Sequence, residues 1–71
     1  MTLRHFRIFS EVCRQESITL AAESMNMAQP AVSYAIKEME NYYETKLFER
    51  MNRRLYITEA GEQLLLYTDS I

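Results

Sequence analysis

Leu20-Ala21-Ala22, then Met27-Ala28-Gln29-Pro30-Ala31-Val32-Ser33 with Ile36, then Leu47-Phe48-Glu49-Arg50 decide how this chain is read. The first segment has the small side chains of a short helix that another helix can approach closely. Asn26 suits a left-handed turn residue. Gln29 and Pro30 open a second helix, with proline in the first turn, where its missing N–H costs nothing. The last segment is a strand carrying arginine. Short helix, tight turn, second helix and basic strand make a helix-turn-helix followed by a wing, an arrangement that presents one helix to the DNA major groove.

Working outward, Thr2 can N-cap a first helix. Leu3, Phe6, Phe9 and Val12/Cys13 recur every three or four residues to about Gln15, an amphipathic stripe. Ser17-Ile18 reads as a connector and Thr19 as the cap of a second helix running from Leu20 to about Met25. The third helix, from near Gln29, has two faces. Val32, Ile36, Met39 and Tyr43 form a core stripe, and Pro30, Ser33, Tyr34, Lys37 and Asn41 an opposite polar face without a carboxylate. Leu47–Arg50 and Arg54–Ile57 suit a small hairpin joined by Met51-Asn52-Arg53. Thr58 caps a fourth helix, with Glu59 near its positive end. Ala60, Leu64, Tyr67 and Ile71 step by four, three and four along that helix, a seam able to pair with another helix. The expected fold is therefore mainly α with a small β-hairpin, a winged helix-turn-helix. Residues 1–58 form that domain, with the helix-turn-helix at about 18–37 and the wing at about 47–57, and residues 59–71 begin a separate dimerisation helix.

The chain has 71 residues, which makes one small domain. A domain this size buries only roughly 60% of its unfolded surface, so each core residue counts. One Gly and one Pro favour uninterrupted helices. The lone Cys13 cannot form an internal disulfide and reads as a small core hydrophobe, which suits a reducing cytoplasm. No apolar run approaches the ~20 residues of a membrane span, and no signal-peptide pattern opens the chain. Net charge is −2, which counts mildly against nucleic acid as a partner. Its distribution reverses that. Residues 45–58 carry Lys46, Arg50, Arg53 and Arg54 against Glu49, a local +3, while the remainder is −5. DNA binding needs a positive patch, not a positive protein.

These residues in this order resemble the N-terminal DNA-binding domain of LysR-type transcriptional regulators. The resemblance rests on Leu3…Phe6…Phe9, Ser17-Ile18-Thr19-x-Ala21-Ala22, Gln29-Pro30-Ala31-Val32-Ser33-x-x-Ile36, Glu40, Leu47-Phe48-Glu49-Arg50 and Leu55-x-Ile57-Thr58-Glu59-Ala60-Gly61, and covers essentially the whole chain. It implies a dimer on an interrupted inverted repeat of promoter DNA, paired through the fourth helix. It also implies a parent protein that forms a higher homo-oligomer and carries a separate C-terminal domain for a small effector, absent here. This chain is then a piece of a longer regulator, and a shortened fourth helix would pair weakly. Three departures stand out. Ala28 replaces a Ser or Thr that would cap the recognition helix, a loss of about 0.5–2 kcal/mol. Tyr43-Glu44 replaces Leu-Gly where the helix ends, and Glu44 is poorly suited to a left-handed residue. Tyr34 replaces an Arg or another polar residue, which bears on sequence preference.

The resemblance and the chemistry together name the site. Gln29 can read an adenine edge bidentately, and Pro30 and Ala31 can touch thymine methyls, at a helix N-terminus with free N–H groups. Ser33 and Lys37 suit phosphate, and Tyr34 a base or a phosphate. Thr19 either caps its helix or also touches phosphate. Arg53, at the wing tip, suits a narrow minor groove and Arg54 phosphate. Arg50 either joins them or pairs with an acid such as Glu40. His5 reads as a surface or packing residue. No metal-ligand spacing, nucleophile constellation, paired-carboxylate pocket or Gly-rich loop is visible, so neither an enzyme nor a cofactor is implied. The rival reading is a winged-helix module for protein contact, which the acidic balance favours slightly.

Overall fold

Helix-forming stripes and hydroxyl caps set the element boundaries. In the computed structural model, which describes residues 1–70, α1 spans Leu3–Gln15, α2 Ile18–Ser24, α3 Gln29–Tyr43, β1 Phe48–Met51, β2 Arg54–Ile57 and α4 Glu59–Asp69. Thr2 caps α1 in a capping box whose second member is His5. His5 Nε2 lies 3.0 Å from Glu38 Oε1 on α3. A carboxylate only accepts, so Nε2 carries the proton and Nδ1 accepts from Thr2. One side chain thus closes the start of α1 and ties it to α3.

The N-cap of α2 is Ser17, not Thr19. Ser17 is extended (φ −162°, ψ 130°) and its Oγ accepts from Leu20 N at 3.1 Å. Ile18, expected in a connector, is the first helical residue and packs against the core. Two hydroxyl residues two positions apart offer alternative caps, and burial of Ile18 selects the first. Asn26 is left-handed as expected (φ 55°), and Met27 N reaches back to Ala22 O at 2.9 Å. The helix-turn-helix is closed by this turn.

Ile8, Phe9, Val12, Ala21, Ala22, Val32, Ala35, Ile36, Met39, Leu47 and Phe48 form the core. Each large member contributes about 1.5–3 kcal/mol by leaving water. Ala21 and Ala22 are buried where α1, α2 and α3 meet, as their size requires. The Phe9 and Phe48 rings meet tilted by 48° with centroids 5.5 Å apart, joining α1 to the wing. Tyr43 departs from the expected stripe: it is 37% exposed, at the last turn of α3, and Ala35 completes the buried face instead. Cys13 is half-buried; burial chiefly, and the Asp69 carboxylate, push its thiol up to about 12, so it stays protonated and unreactive near neutral pH.

β1 and β2 pair antiparallel with Met51 opposite Arg54. Met51 therefore belongs to the strand, and the connection is two residues, Asn52 and Arg53, rather than three. Both have positive φ (50° and 65°), the pattern of a type I′ turn whose twist matches the strands. Leu47, expected to begin the strand, instead precedes it and is 1% exposed.

Thr58 caps α4, its Oγ1 accepting from Gly61 N at 3.0 Å and donating to Lys46 O at 2.6 Å. Thr58 N donates to Leu47 O at 3.0 Å. Gly61 is the chain's only glycine and sits inside α4 with no positive φ. Its purpose is close approach: a Cβ there would overlap the Leu47 carbonyl oxygen and lie 2.7 Å from Ile57 Cγ1. Alanine would raise helix propensity by about 1 kcal/mol, but a clash with main chain cannot relax by a rotamer change. Gly61→Ala is therefore expected to destabilise the domain by about 1–2 kcal/mol in urea unfolding.

Glu11 joins α1 to α2. Its carboxylate, 16% exposed, accepts from the Ser24 hydroxyl, from Gln15 Nε2 at 2.9 Å, and from Arg14 Nε and Nη2. Ser24 first, then Gln15 and Arg14, hold its pKa down to about 2 against an ordinary value of 4.5. A folded value below the unfolded one stabilises the fold above about pH 4.5 and ceases to do so as pH falls through about 2. The stability gap between the wild-type domain and Glu11→Gln, by urea unfolding, should accordingly be widest at neutral pH and shrink across that window.

Candidate nucleic-acid interface

α3 begins at Gln29 because Ala28 is extended (φ −70°, ψ 141°) and Pro30 fixes the next turn. Ala28 provides no side-chain cap, as its identity implies. The helix end also offers fewer main-chain donors than expected. Pro30 has none, and Ala31 N and Val32 N both turn to Ala28 O, at 3.0 and 3.3 Å. The polar groups this end presents therefore belong mainly to side chains. Gln29, Pro30 and Ala31 are exposed, Ser33 is half-buried, and Tyr34 is 66% exposed. Gln29 Nε2 donates to Ser33 Oγ at 3.0 Å. One amide hydrogen is thereby used inside the chain, leaving the carbonyl oxygen and a second N–H outward, an acceptor beside a donor. Ser33, expected on phosphate, is in this structure the partner of Gln29. Lys37 is exposed one turn further along α3, in a shallow depression shared with Asn41 and Lys46.

At its other end α3 stops at Tyr43 with Glu44 left-handed (φ 55°, ψ 42°). Glutamate thus occupies the conformation for which glycine is suited, and strain there is retained. Glu40 O accepts from Glu44 N and from Thr45 N, which ends the helix. The Glu40 side chain is not paired with Arg50. Its Oε2 accepts from Leu47 N at 2.8 Å and Phe48 N at 3.4 Å, two main-chain donors at the entry to β1.

Arg50, Arg53 and Arg54 are all exposed on the wing. Together with Ser17, Thr19 and Tyr56 they line a predominantly polar groove between the wing and the corner joining α1 to α2. Among the described residues the side-chain ion pairs are His5–Glu38 and Arg14–Glu11, so Lys37 and the three wing arginines have no carboxylate within salt-bridge distance. Thr19, released from capping, is exposed at this groove. Ser17 and Tyr56 carry no such role in the sequence reading. Ser17 is betrayed only by choosing between two possible caps, and Tyr56 by the strand register.

Of the expected dimerisation residues, Ala60 and Leu64 are half-buried and Tyr67 is 61% exposed, beside Tyr43, Leu47 and Gln63 along a shallow groove. Tyr67 also meets Phe6 edge-on at 6.4 Å, so part of the seam is used within the chain. Leu66 is 74% exposed on the same helix. Tyr43 has its pKa raised by burial, with Tyr42 and Tyr67 contributing. Ile71 lies outside the described residues. No helix among the described residues is long and apolar enough to cross a membrane.

Comparison with known proteins agrees with this geometry. Residues 3–62 match the family model described as bacterial regulatory helix-turn-helix protein, lysR family. The RuBisCO operon transcriptional regulator of Allochromatium vinosum is 38% identical over the whole chain, which covers 24% of that protein. The transcriptional regulator CfxR of Cupriavidus necator is 41% identical over the whole chain, which covers 22% of it. These relatives are regulators rather than enzymes, and the chain spans about a quarter of their length. A LysR-family regulator from Eggerthella lenta superposes with a TM-score of 0.89 at 39% identity, over 100% of both chains. The BenM DBD bound to benA site 1 DNA superposes with a TM-score of 0.93 at 34% identity, over 99% of this chain and 79% of that one. The winged helix-turn-helix described above is thus a member of the LysR family of bacterial regulatory proteins.

Proposed function

We propose that this domain binds a specific promoter sequence, with α3 in the major groove and the wing in the adjacent minor groove. The observation that carries the reading is the set of exposed wing arginines without carboxylate partners, in a chain that is otherwise acidic. Glu16 lines the same groove but makes no ion pair with these arginines, so their charges are free to meet phosphate. Gln29, oriented by Ser33, offers the acceptor–donor pair that matches adenine N6 and N7. Pro30 and Ala31 supply apolar contact to thymine methyls, and Tyr34 reaches a base or a phosphate. Lys37, Thr19, Arg50 and Arg54 hold phosphates, and Arg53 enters the minor groove. The similarity to the DNA-bound BenM DBD supports the same partner.

In this reading residues 1–58 are the DNA-binding unit and residues from 59 onward belong to a helix that pairs with a second copy. Ala60, Leu64 and Tyr67, with the exposed Leu66 beside them, give that pairing an apolar surface. Two copies would place two α3 helices on the half-sites of an inverted repeat. The remaining length of the relatives accommodates an effector-binding domain, and the parent would work in the cytoplasm.

Selection from random duplexes followed by a salt series tests the proposal. An enriched inverted repeat, with affinity falling steeply as salt rises, is expected. Gln29→Ala should cost about 1–3 kcal/mol on the enriched site and relax preference at one position. Arg53→Ala should weaken binding and lower the salt slope by about one. A folded domain that enriches no sequence and binds without salt dependence would instead be a protein-contact module.

Arg53 also separates binding from stability. It occupies the second turn position at φ 65°, where an L side chain is strained. Arg53→Gly is expected to raise stability by about 0.5–1 kcal/mol while weakening DNA binding as Arg53→Ala does. Thermal melting and fluorescence anisotropy on the same preparation read the two effects.

A further inference from the structure

We infer that Glu40 is a positioning residue that couples α3 to the wing, so that the minor-groove contact depends on a side-chain oxygen that does not itself touch DNA. The inference rests on the DNA-binding reading above and adds to it the element that sets the wing's aim. Glu40 grips both ends of the connector between α3 and β1. Its carbonyl oxygen accepts from Thr45 N at 3.1 Å, and its Oε2 accepts from Leu47 N at 2.8 Å and Phe48 N at 3.4 Å. With Glu44 N, which also donates to that carbonyl oxygen, four main-chain donors of the connector and the first strand converge on one residue of α3.

Beyond this grip the wing has little to hold it. Phe48 is the only buried residue of β1, and in β2 only Leu55 and Ile57 are half-buried. A two-stranded hairpin is marginal by itself in water, so its direction is inherited from where it is anchored. The anchor is Leu47-Phe48, held from one side by Glu40 and from the other by Thr58 and the close packing of Gly61. A small rotation there moves Arg53, five residues from Phe48, by several times as much. The bond to Leu47 N needs an acceptor at the reach of a glutamate side chain. It does not need the negative charge, which near phosphate would be repulsive.

Two substitutions separate reach from charge. Glu40→Gln keeps a carbonyl oxygen at the same reach and removes the charge, while Glu40→Asp keeps the charge and withdraws it by one methylene. Each is measured on a duplex enriched from a random pool and on the same duplex trimmed of the base pairs flanking the major-groove half-sites. The wild-type ratio of the two affinities is the gain from the wing. Glu40→Gln should hold that gain within about twofold, and Glu40→Asp should lose about tenfold of it while binding the trimmed duplex like wild type. Amide exchange at Leu47 and Phe48 should quicken in Glu40→Asp and stay slow in Glu40→Gln, a local readout that general destabilisation would not confine to these two residues.

Equal weakening on both duplexes, an unchanged gain in Glu40→Asp, or a lost gain in Glu40→Gln would overturn the inference in favour of a general structural or charge effect. If wild type gains nothing from the flanks, the wing reading itself fails and the inference with it. That failure is read on the unsubstituted protein, before any variant is compared.

Discussion

Leu47 is where the recognition helix, the wing and α4 are made into one body. Its side chain is buried, its N–H is taken by Glu40 of α3, and its carbonyl accepts from Thr58 at the cap of α4. The same carbonyl is the surface against which Gly61 packs, leaving no room for a Cβ. Both main-chain polar groups of a buried residue are satisfied by different elements, as the cost of leaving either unpaired demands. The geometry of each element is therefore constrained by the others. A wing that would be marginal alone acquires a direction, and α4 acquires a starting point.

Carboxylates do similar work elsewhere. Glu38 meets His5 between α3 and α1, and Glu11 gathers Ser24, Gln15 and Arg14 between α1 and α2. With Glu40, three of the chain's ten acidic residues bridge elements around a small apolar core. This bears on function because it leaves cations unmatched. Arg14 is the only Lys or Arg side chain paired with a carboxylate among the described residues, and the wing arginines stay uncompensated. A net charge of −2 therefore coexists with a strongly basic wing.

Backbone strain is distributed in an unusual way. Among the described residues five have positive φ, Glu16, Asn26, Glu44, Asn52 and Arg53, and none is glycine. The two asparagines tolerate this conformation well; the two glutamates and the arginine do so at a cost. The single glycine is placed instead where α4 must approach a carbonyl, because a Cβ there would press on the Leu47 main chain. Arg53 holds its strained position at the tip of the wing, where the side chain is exposed.

Much of this was legible in the sequence. Phe9 and Val12 in the stripe of α1, the proline at the head of α3, Asn26 in the turn and Thr58 before α4 are local signals read from one short window each, and each reappears in the structure; Leu3 of that stripe is exposed, and Ile8 is buried instead. These signals suffice for element order and for the winged helix-turn-helix, and the ordered motifs suffice for the family. What the sequence could not decide was every choice between two locally equivalent options. Ser17 and Thr19 are both good caps, and packing of Ile18 chose Ser17. Met51 could end a strand or begin a loop, and pairing with Arg54 made it a strand. Glu40 could have met Arg50, and the buried N–H groups of Leu47 and Phe48 claimed it instead. Whether Gln29 stands alone or is oriented by Ser33 depends on rotamers, not spacing. Capping, periodicity and turn residues act within a few positions of the chain and are written in it. The destination of a side-chain oxygen or a cation is set by which unsatisfied group lies nearest in space, and only the folded chain determines that.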